Sequence, residues 1–375
     1  MTEEQGSKPA AGRTVYDVAV IGAGPAGTQA AVSAAHQMRH VLVLDAGPVS
    51  QRRGRAFWSK SVEMLDAPVF PAATGPSFVR ALRAWTRAQP VRQVSIAGRA
   101  RPVGIDRRGG VVLRVQRDPP DPGEAAPAGY LFRLDVSTRA LRPETPPSVE
   151  TMFARTLVVA SGFEDVWSEI EVDRSADRLY QSHRVLFRYA GNRKGWHVCI
   201  RCDGHLHVDE HLAIVGTGDL AFAVARGAQD FTHRITILTN GRPHGLSAAQ
   251  LTTLHAQGIA VVEDPIEAHI GQGTDLLGLR LAGGRELYFD GYFLDEGLTP
   301  NTEYLRPEDG WAPRRDAEGL LVVDEDGRVL DERGAPIPGL LAAGDIVAGQ
   351  RKLIATAFAL GQNAGLTASD MMRTW

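Results

Sequence analysis

The hydrophobic pattern opens with a short apolar run, residues 16–21, that a glycine-rich turn and a helical stretch follow. A nearly continuous apolar run of this length is typical of a buried parallel strand. The alanine-rich stretch after the turn favours a helix to about His36. A second apolar run, residues 41–44, ends in Asp45. The order strand, turn, helix, strand predicts one β-α-β unit.

The same layout recurs in the middle of the chain. An apolar run at 212–215 precedes the turn Gly-Thr-Gly-Asp-Leu-Ala at 216–221, a helix is expected through about Gln229, and a strand at 234–238 follows. Two such units predict an α/β fold with two Rossmann-like dinucleotide-type domains, each built as a three-layer ββα arrangement. We expect the second domain to be inserted in the first.

The remaining segments are assigned around these two units. A helical period is expected at 78–87, an antiparallel meander over 91–159 (runs 111–115, 130–136 and 157–159), an exposed loop at 118–128, a linking strand and turn at 291–302, an apolar strand at 339–345 and a small-residue helix at 353–364. Residues 164–194 show no clear period. The first dinucleotide-type domain is predicted to comprise residues 1–163 with 291–375, and the inserted domain residues 164–290.

Composition narrows the class of protein. Hydrophobic residues make up 43% and charged residues 23% of 375, enough for a sizeable core. A net charge of −3 argues against a nucleic-acid surface. No apolar run approaches the length of a membrane span, and residues 1–12 lack the layout of a signal peptide. We therefore expect a cytoplasmic protein with a loose polar leader.

The first turn has the residues of a dinucleotide site. It reads Gly-Ala-Gly-Pro-Ala-Gly at 22–27. Gly22 permits the tight turn, Gly24 lets the backbone approach a pyrophosphate, and Gly27 lets the helix pack on the strand. The helix N-terminus then faces the phosphates, and Asp45 can accept hydrogen bonds from ribose hydroxyls.

Two cysteines, Cys199 and Cys202, carry the candidate chemistry. They are the only cysteines of the chain, and Asp203 and Gly204 follow them at once. A C-x-x-C beside a strand–turn–helix pattern favours a pair that cycles between dithiol and disulfide, and a reducing compartment suits such a pair. A Cys₂His₂ zinc site stays open as the alternative, with ligands drawn from His197, His205 and His207.

The second nucleotide unit, whose turn contains Gly216 and Gly218, has no residue after its second strand that would recognise the ribose of NAD or the phosphate of NADP. That strand runs into Thr239-Asn240-Gly241, where neither an acid for an NAD ribose nor clustered arginines for an NADP phosphate stand. Arg242 alone could serve. The absence of these residues argues against NADPH as the ligand of this turn.

Together the motifs resemble the low-molecular-weight thioredoxin reductases and their flavoprotein relatives. The similarity covers nearly the whole chain and rests on V-I-G-A-G-P-A-G, V-V-A-S-G, C-I-R-C-D-G, G-T-G-D-L-A, G-L-T-P-N-T and L-A-A-G-D, in that order. The resemblance implies bound FAD, a homodimer, and a thioredoxin-like protein or a small dithiol or disulfide as partner. It implies no metal.

The resemblance also implies a role for each matching residue. Cys202 would face the flavin, Cys199 would exchange with the partner, Asp203 would be the acid/base, and Asp345 would hold the ribityl chain. The residues expected at FAD are Gly22, Gly24, Pro25, Ala26, Gly27, Asp45, Ala46, Gly162, Gly344 and Asp345, whereas Gly216 and Gly218 belong to the second turn.

The departures from the family's pattern are informative. The family's H-R-R for the NADPH phosphate is Thr239-Asn240-Gly241 here, and Asp295-Glu296 replace a small apolar stretch. The sequence therefore resembles a branch that does not use NADPH, whose members draw on ferredoxin, oxidise dithiols with oxygen, or hold a second flavin. The alternatives are an NADPH-dependent thioredoxin reductase reading the phosphate through Arg242, and a flavin-bound redox sensor. A C-terminal Trp375 is either a cover for the flavin or a frayed end.

Overall fold

The computed structural model describes residues 13–49, 54–58, 74–139, 148–172 and 184–373. The predictions for the leader at 1–12, for Trp375 and for part of the segment 164–194 lie outside these residues. No helix in the described ranges is long and apolar enough to cross a membrane.

The helices are numbered in chain order. They are α1 Pro25–His36, α2 Gly75–Arg87, α3 Arg184–Tyr189, α4 Ile200–Asp203, α5 Gly218–Ala228, α6 Ala248–Ala256 and α7 Ile354–Met371. The strands are β1 Val15–Ile21, β2 His40–Asp45, β3 Arg92–Ile96, β4 Arg99–Gly109, β5 Val111–Asp118, β6 Leu131–Ser137, β7 Val149–Val159, β8 Phe163–Asp165, β9 Trp196–His197, β10 Leu212–Val215, β11 Ile235–Leu238, β12 Ala260–Val262, β13 Ile266–Gln272, β14 Asp275–Leu281, β15 Glu286–Tyr288, β16 Gly291–Leu294, β17 Leu298–Pro300, β18 Arg328–Leu330 and β19 Pro336–Ala342.

The larger sheet has a parallel centre in the order β19-β7-β1-β2-β4. The apolar side chains at 16–21 and 40–44 are buried because α1 and α7 cover one face of the sheet, whereas the antiparallel strands β5 and β6 and residues 304–347 cover the other. Burial on both faces is why these strands are continuously apolar. Helices α1 and α7 pack closely: a Cβ at Gly361 would lie 2.2 Å from the carbonyl oxygen of Ala26. Small residues therefore hold the two helices against each other beside the glycine turn.

The predicted meander is present as the antiparallel strands β5, β6 and β7. Two features were not predicted. The β3–β4 hairpin adds β4 parallel to β2, and α7 continues to Met371, beyond the expected end at 364.

The second sheet is parallel, in the order β12-β11-β10-β16-β9. It confirms the second β-α-β unit at β10, α5 and β11. Strand β16 pairs with β10, so residues 291–294 lie in this sheet although the predicted domain boundary is 290. Strands β13, β14 and β15 form a separate antiparallel sheet.

Two strands connect the sheets. Strand β8 leads into the middle of the chain and β17 leads out of it, and they pair antiparallel with Leu298 opposite Asp165. Both parallel sheets, each with a glycine turn after its first strand, confirm the predicted α/β class. The division into an FAD-type domain and an inserted domain stays a prediction.

Candidate active site

One continuous cavity extends from the first glycine turn to the C-x-x-C. Of the predicted site residues it is lined by Gly22, Gly24, Pro25, Ala26, Asp45, Ala46, Gly162, Asp345, Cys199, Cys202 and Asp203. Gly27 and Gly344 lie behind this lining, where a Cβ would lie 2.0 Å from the oxygen of Gly22 and 2.6 Å from the side chain of Ala26, respectively. Gly216 and Gly218 are not part of the lining.

The glycines of the first turn differ in what they do. Gly22 has φ +105°, and a Cβ there would lie 2.2 Å from the carbonyl oxygen of Ala160. A Cβ at Gly24 would have nothing within 4 Å, and this residue precedes α1 without a side-chain cap. The first N–H groups of α1 are therefore open to the cavity, which fits an anionic pyrophosphate.

Asp45 ends β2, as expected of a ribose reader, but it is already paired. Its carboxylate accepts a hydrogen bond from Arg107 and, at 3.0 Å, one from the backbone N–H of Gly47. Arg83 lies 3.7 Å away. A carboxylate has about four acceptor positions, so Asp45 can still accept from a hydroxyl while Arg107 fixes its orientation.

Asp345 is half-buried in the cavity wall beside Lys352. Burial raises the pKa of Asp345, and the charges of Arg55 and Lys352 partly oppose that rise. Burial lowers the pKa of Lys352, whose ammonium donates to the carbonyl oxygen of Val347 at 2.6 Å. A half-buried carboxylate that lines a cavity suits a ligand with hydroxyl donors, as the flavin's ribityl chain has.

The two cysteines form a disulfide, with their Cα atoms 5.3 Å apart. Cys199 precedes α4, and the backbone N–H of Cys202 donates to its sulfur at 3.2 Å. A hydrogen bond to sulfur stabilises a thiolate more than a thiol. Cys199 has such a backbone N–H donor directed at its sulfur. Arg201, between the cysteines, is exposed.

The histidines considered for zinc have other partners. His197 contacts the carboxylate of Asp203 at 2.9 Å, and His207 contacts that of Glu210 at 2.7 Å. His205 is exposed. In the described ranges no group of three or more His, Cys, Asp or Glu side chains is placed to hold a metal ion.

Arg55 connects the cavity to the disulfide segment. It donates to the carbonyl oxygen of Val198 at 2.6 Å and pairs with Asp165 on β8 at 2.9 Å. Burial raises the pKa of Asp165, which Arg55 opposes and the nearby Asp295 and Asp345 reinforce. One guanidinium thus stands among three partly buried carboxyl groups where the two connecting strands meet the cavity.

Trp58, three residues further, contacts the core of the second sheet. Its ring stacks on Phe187 with centroids 4.8 Å apart and meets Trp167 edge-on at 5.3 Å. Arg55 and Trp58 follow β2 in the chain, whereas their partners lie on β8 or beyond it. This short segment therefore connects the first part of the chain to the segment that carries the disulfide.

The second nucleotide turn has the expected strand–turn–helix shape, but the charged side chains near it pair with each other. The guanidinium of Arg242 pairs with Glu296 at 2.8 Å, and Glu296 also accepts from Ser168 at 2.8 Å. Asn240 donates to Ser168 and accepts from the N–H of Ile266. The one cation that sequence reasoning offered for a phosphate is therefore bound to a carboxylate of this chain.

Several of these residues were missed from the sequence. Arg55, Trp58, Arg107 and Lys352 sit in no motif. The partners of the first three are distant along the chain, whereas Lys352 donates to Val347, five residues before it. The local cluster Q-R-R-G-R at 51–55 was the one signal for Arg55, and most of it lies outside the described residues.

Two parallel sheets with glycine turns, and a cavity that reaches a C-x-x-C disulfide, define a nucleotide-binding protein with a cysteine pair. Comparison with known proteins identifies the family. The family model described as "Pyridine nucleotide-disulphide oxidoreductase" matches residues 16–361. The chain belongs to this family. Members of the family that resemble thioredoxin reductase bind FAD, which agrees with the open helix N-terminus and the half-buried Asp345.

Two curated relatives are similar over nearly the whole chain. An alkyl hydroperoxide reductase (its F subunit) of Xanthomonas campestris pv. phaseoli is 26% identical over 97% of this chain and 58% of its own length. The chain thus spans less than three fifths of that relative. A thioredoxin reductase from Listeria monocytogenes is 26% identical over 94% of this chain and 93% of its own length.

Solved structures agree on the fold. Thioredoxin reductase from Streptococcus pyogenes superposes with a TM-score of 0.70 at 18% identity, covering 97% of this chain and 100% of that one. The putative thioredoxin reductase TrxB from Bacillus anthracis has a TM-score of 0.70 at 17% identity, covering 96% and 99%. At these identities the likeness establishes the fold alone.

Proposed function

We propose that this chain is an FAD-dependent disulfide oxidoreductase that passes electrons between flavin and the Cys199–Cys202 disulfide, and between that disulfide and an external thiol or disulfide. The observation that carries the proposal is the shared cavity: the sulfurs line the same space as the glycine turn and Asp345. FAD, when bound, supplies a two-electron carrier next to the sulfur pair.

Each part of the cavity has a separate task. The N–H groups at the start of α1, near Gly24, bind the pyrophosphate. Asp45 and Asp345 accept from hydroxyl groups, and Gly22, Ala46 and Gly162 let the ligand approach the backbone. Cys202 faces the flavin, Cys199 exchanges with the external partner, and Asp203 gives or takes the proton of the outgoing sulfur.

We further propose that NADPH is not the electron source. A 2′-phosphate needs an available cation, but Arg242 is paired with Glu296. Burial raises the pKa of Glu296, and Ser168 and Arg242 partly oppose that rise. Binding the phosphate would require breaking this pair and leaving the buried carboxylate of Glu296 without its cation. A dinucleotide without that phosphate, or a second flavin, meets no such cost.

The contacts of Arg55 and Trp58 support the same proposal. An NADPH site on the second turn lies apart from the cavity, since Gly216 and Gly218 do not line it. Bringing a nicotinamide to the flavin would require the disulfide-bearing unit to move, which would break the contacts of Arg55 with Val198 and of Trp58 with Phe187. The contacts of Arg55 and Trp58 therefore support a disulfide that stays at the cavity proposed for the flavin.

The proposed partner is a thioredoxin-like protein or a small dithiol or disulfide, and the working assembly is a homodimer in the cytoplasm. The experiment mixes the purified protein anaerobically with dithiothreitol or with NADPH in a stopped-flow instrument. We expect dithiothreitol to bleach the flavin in the wild type but not in Cys199→Ser, and NADPH to bleach it slowly or not at all. Rapid bleaching by NADPH would favour the NADPH-dependent alternative. Bleaching of Cys199→Ser at the wild-type rate by the dithiol would refute the route through the disulfide.

A further inference from the structure

A hydrogen-bonded chain of four polar side chains begins at Asp203, which follows Cys202 in sequence and lines the same cavity as the disulfide. Asp203 Oδ2 is 2.9 Å from His197 Nδ1, His197 Nε2 is 3.3 Å from His207 Nε2, and His207 Nδ1 is 2.7 Å from Glu210 Oε2. Both imidazoles are buried, with 2% and 0% of their surface exposed. The chain ends at Arg193, which pairs with Glu210 at 2.7 Å.

A backbone carbonyl fixes one proton of this chain. His197 Nε2 is 3.2 Å from the carbonyl oxygen of Arg193. Because a carbonyl only accepts, Nε2 must carry the hydrogen, which also points it at His207 Nε2. We therefore assign a proton to His197 Nε2.

The far end of the chain fixes a second proton. Burial raises the pKa of Glu210, but hydrogen bonds from Arg193 and His207 outweigh burial, so its net pKa is lowered and it is ionised. An ionised carboxylate only accepts, hence His207 Nδ1 carries hydrogen. Burial lowers the pKa of His207, so the ring is neutral and its Nε2 accepts from His197.

Neither of the two protons assigned so far lies between Asp203 and His197. The hydrogen bond between these two side chains therefore requires a third proton. If His197 is neutral, its Nδ1 has a lone pair, and Asp203 must be the protonated partner. If Asp203 is ionised, His197 must be an imidazolium that donates from Nδ1. In both cases one proton is shared between Asp203 Oδ2 and His197 Nδ1, in addition to the proton on Nε2.

We propose that His197 is a positioning residue that keeps a transferable proton at Asp203 near neutral pH, so that Asp203 can act as an acid towards the cysteine sulfurs. An isolated aspartate is ionised at that pH and has no proton to give. The inference rests on the proposed redox role of Cys199 and Cys202, and it adds the source of the proton.

The step balances without any further reactant than a dithiol. A thiolate of the dithiol attacks the sulfur of Cys199, a mixed disulfide forms, and the Cys199–Cys202 bond breaks with its electron pair on Cys202. The proton shared by Asp203 and His197 passes to that sulfur, giving the Cys202 thiol and leaving Asp203 ionised beside a neutral His197. Solvent then returns one proton to the pair.

The surroundings protect this proton from other bases. His197 stacks on Phe293 with centroids 5.2 Å apart, and His207 meets the same ring edge-on at 5.8 Å. The charged groups that face the two imidazoles are Asp203, Glu210 and Arg193. A Cβ at Gly291 would lie 2.6 Å from the ring of His207, so β16 closes the remaining side.

The kinetic test follows reduction of the disulfide by dithiothreitol in the purified flavin-bound protein. Samples are quenched with iodoacetamide between pH 6 and 9, the alkylated cysteines are counted by mass, and rates are divided by the thiolate fraction of dithiothreitol. We expect His197→Asn to lower the rate at pH 7 by about 10²-fold, the usual range for losing a general acid. His205→Asn, at an exposed histidine beside the same helix, should match the wild type.

A second measurement keeps the inference testable if His197→Asn folds poorly. Imidazole ¹⁵N chemical shifts of histidine-labelled wild-type protein report which nitrogens carry protons. We expect His197 with a protonated Nε2 at pH 7. A His197 protonated on Nδ1 alone would overturn the inference, as would equal pH profiles for His197→Asn and the wild type. A disulfide that dithiothreitol does not reduce in the native wild type would refute the proposed function itself.

Discussion

The guanidinium of Arg55 donates to the carbonyl oxygen of Val198, 2.6 Å away and one residue before Cys199. The same guanidinium pairs with Asp165 on β8. A single side chain therefore fixes both the backbone that carries the disulfide and one of the two connecting strands. The position of the sulfurs at the cavity depends on this residue.

The Arg55→Ala substitution should lower the free energy of unfolding and increase local opening of the segment that contains Cys199. Removing the cation leaves Asp165 buried without its partner, which typically costs about 3 kcal/mol or more in the free energy of unfolding. Urea denaturation measures the loss, and hydrogen exchange should show faster deuterium uptake in the peptide that contains Cys199. The control is Arg285→Ala, since the pair of Arg285 with Asp264 is half-exposed and should be worth under about 1 kcal/mol. Equal effects of the two variants would contradict the assignment.

Two glycines of the first turn should separate binding from folding. Gly24→Ala places a methyl group in open space at the start of α1, so we expect less bound flavin and an unchanged unfolding midpoint. Gly27→Ala places its methyl group 2.0 Å from the oxygen of Gly22, and such overpacking costs about 1–3 kcal/mol. Flavin absorbance per subunit and urea midpoints measure both. A Gly24→Ala variant with full flavin content would argue against a pyrophosphate at this turn.

Releasing Arg242 should create a preference for NADPH. In the wild type we expect NADPH and NADH to bind with similar affinity, because Glu296 holds Arg242. Glu296→Gln removes the competing carboxylate and should favour NADPH by roughly fivefold, about 1 kcal/mol for one charge-assisted hydrogen bond. Isothermal titration calorimetry gives both affinities, and Glu263→Gln is the nearby control. A wild type that already prefers NADPH tenfold would support the alternative in which Arg242 reads the phosphate.

Asp295 should make stability fall as the pH rises. Burial raises the pKa of Asp295, with Gly297 N–H and Arg55 opposing. A carboxyl whose folded pKa lies above its unfolded value of about 3.9 binds protons more tightly when folded, so the protein loses stability between the two values. Asp295→Asn keeps an acceptor for Gly297 but cannot ionise. It should match the wild type at pH 4 and exceed it at pH 7 in urea denaturation. The exposed Asp264→Asn should show no such trend, and a pH-independent difference for Asp295→Asn would contradict the account.

Local signals were enough to predict the fold. The turn at 22–27 needs glycine because of contacts within a few residues and with the adjacent strand, and the apolar runs of β1, β2 and β10 reflect burial on both faces. Cys199 and Cys202 could be identified because two cysteines three positions apart in the sequence are necessarily close in space. Asp345 was identified through a motif at a strand end.

Long-range pairing could not be predicted in the same way. Arg55 meets Val198 across 143 positions, and Arg114 meets Asp309 across 195. Nothing in the sequence around such residues indicates a partner so distant. The His197–Asp203 contact spans only six positions, yet its meaning depends on the carbonyl of Arg193 and on the orientation of β9. These were set by the pairing of β9 with β16, which the sequence pattern did not indicate.

The most direct test of the central claim is an anaerobic reductive titration of the purified protein. It counts the electrons that each subunit accepts, in the wild type and in Cys202→Ser, while the flavin spectrum is recorded. The wild type should accept two electrons more per subunit than the variant, because the disulfide is reduced together with the flavin. Equal electron uptake by the two proteins, or a preparation without flavin, would contradict an oxidoreductase that works through Cys199 and Cys202.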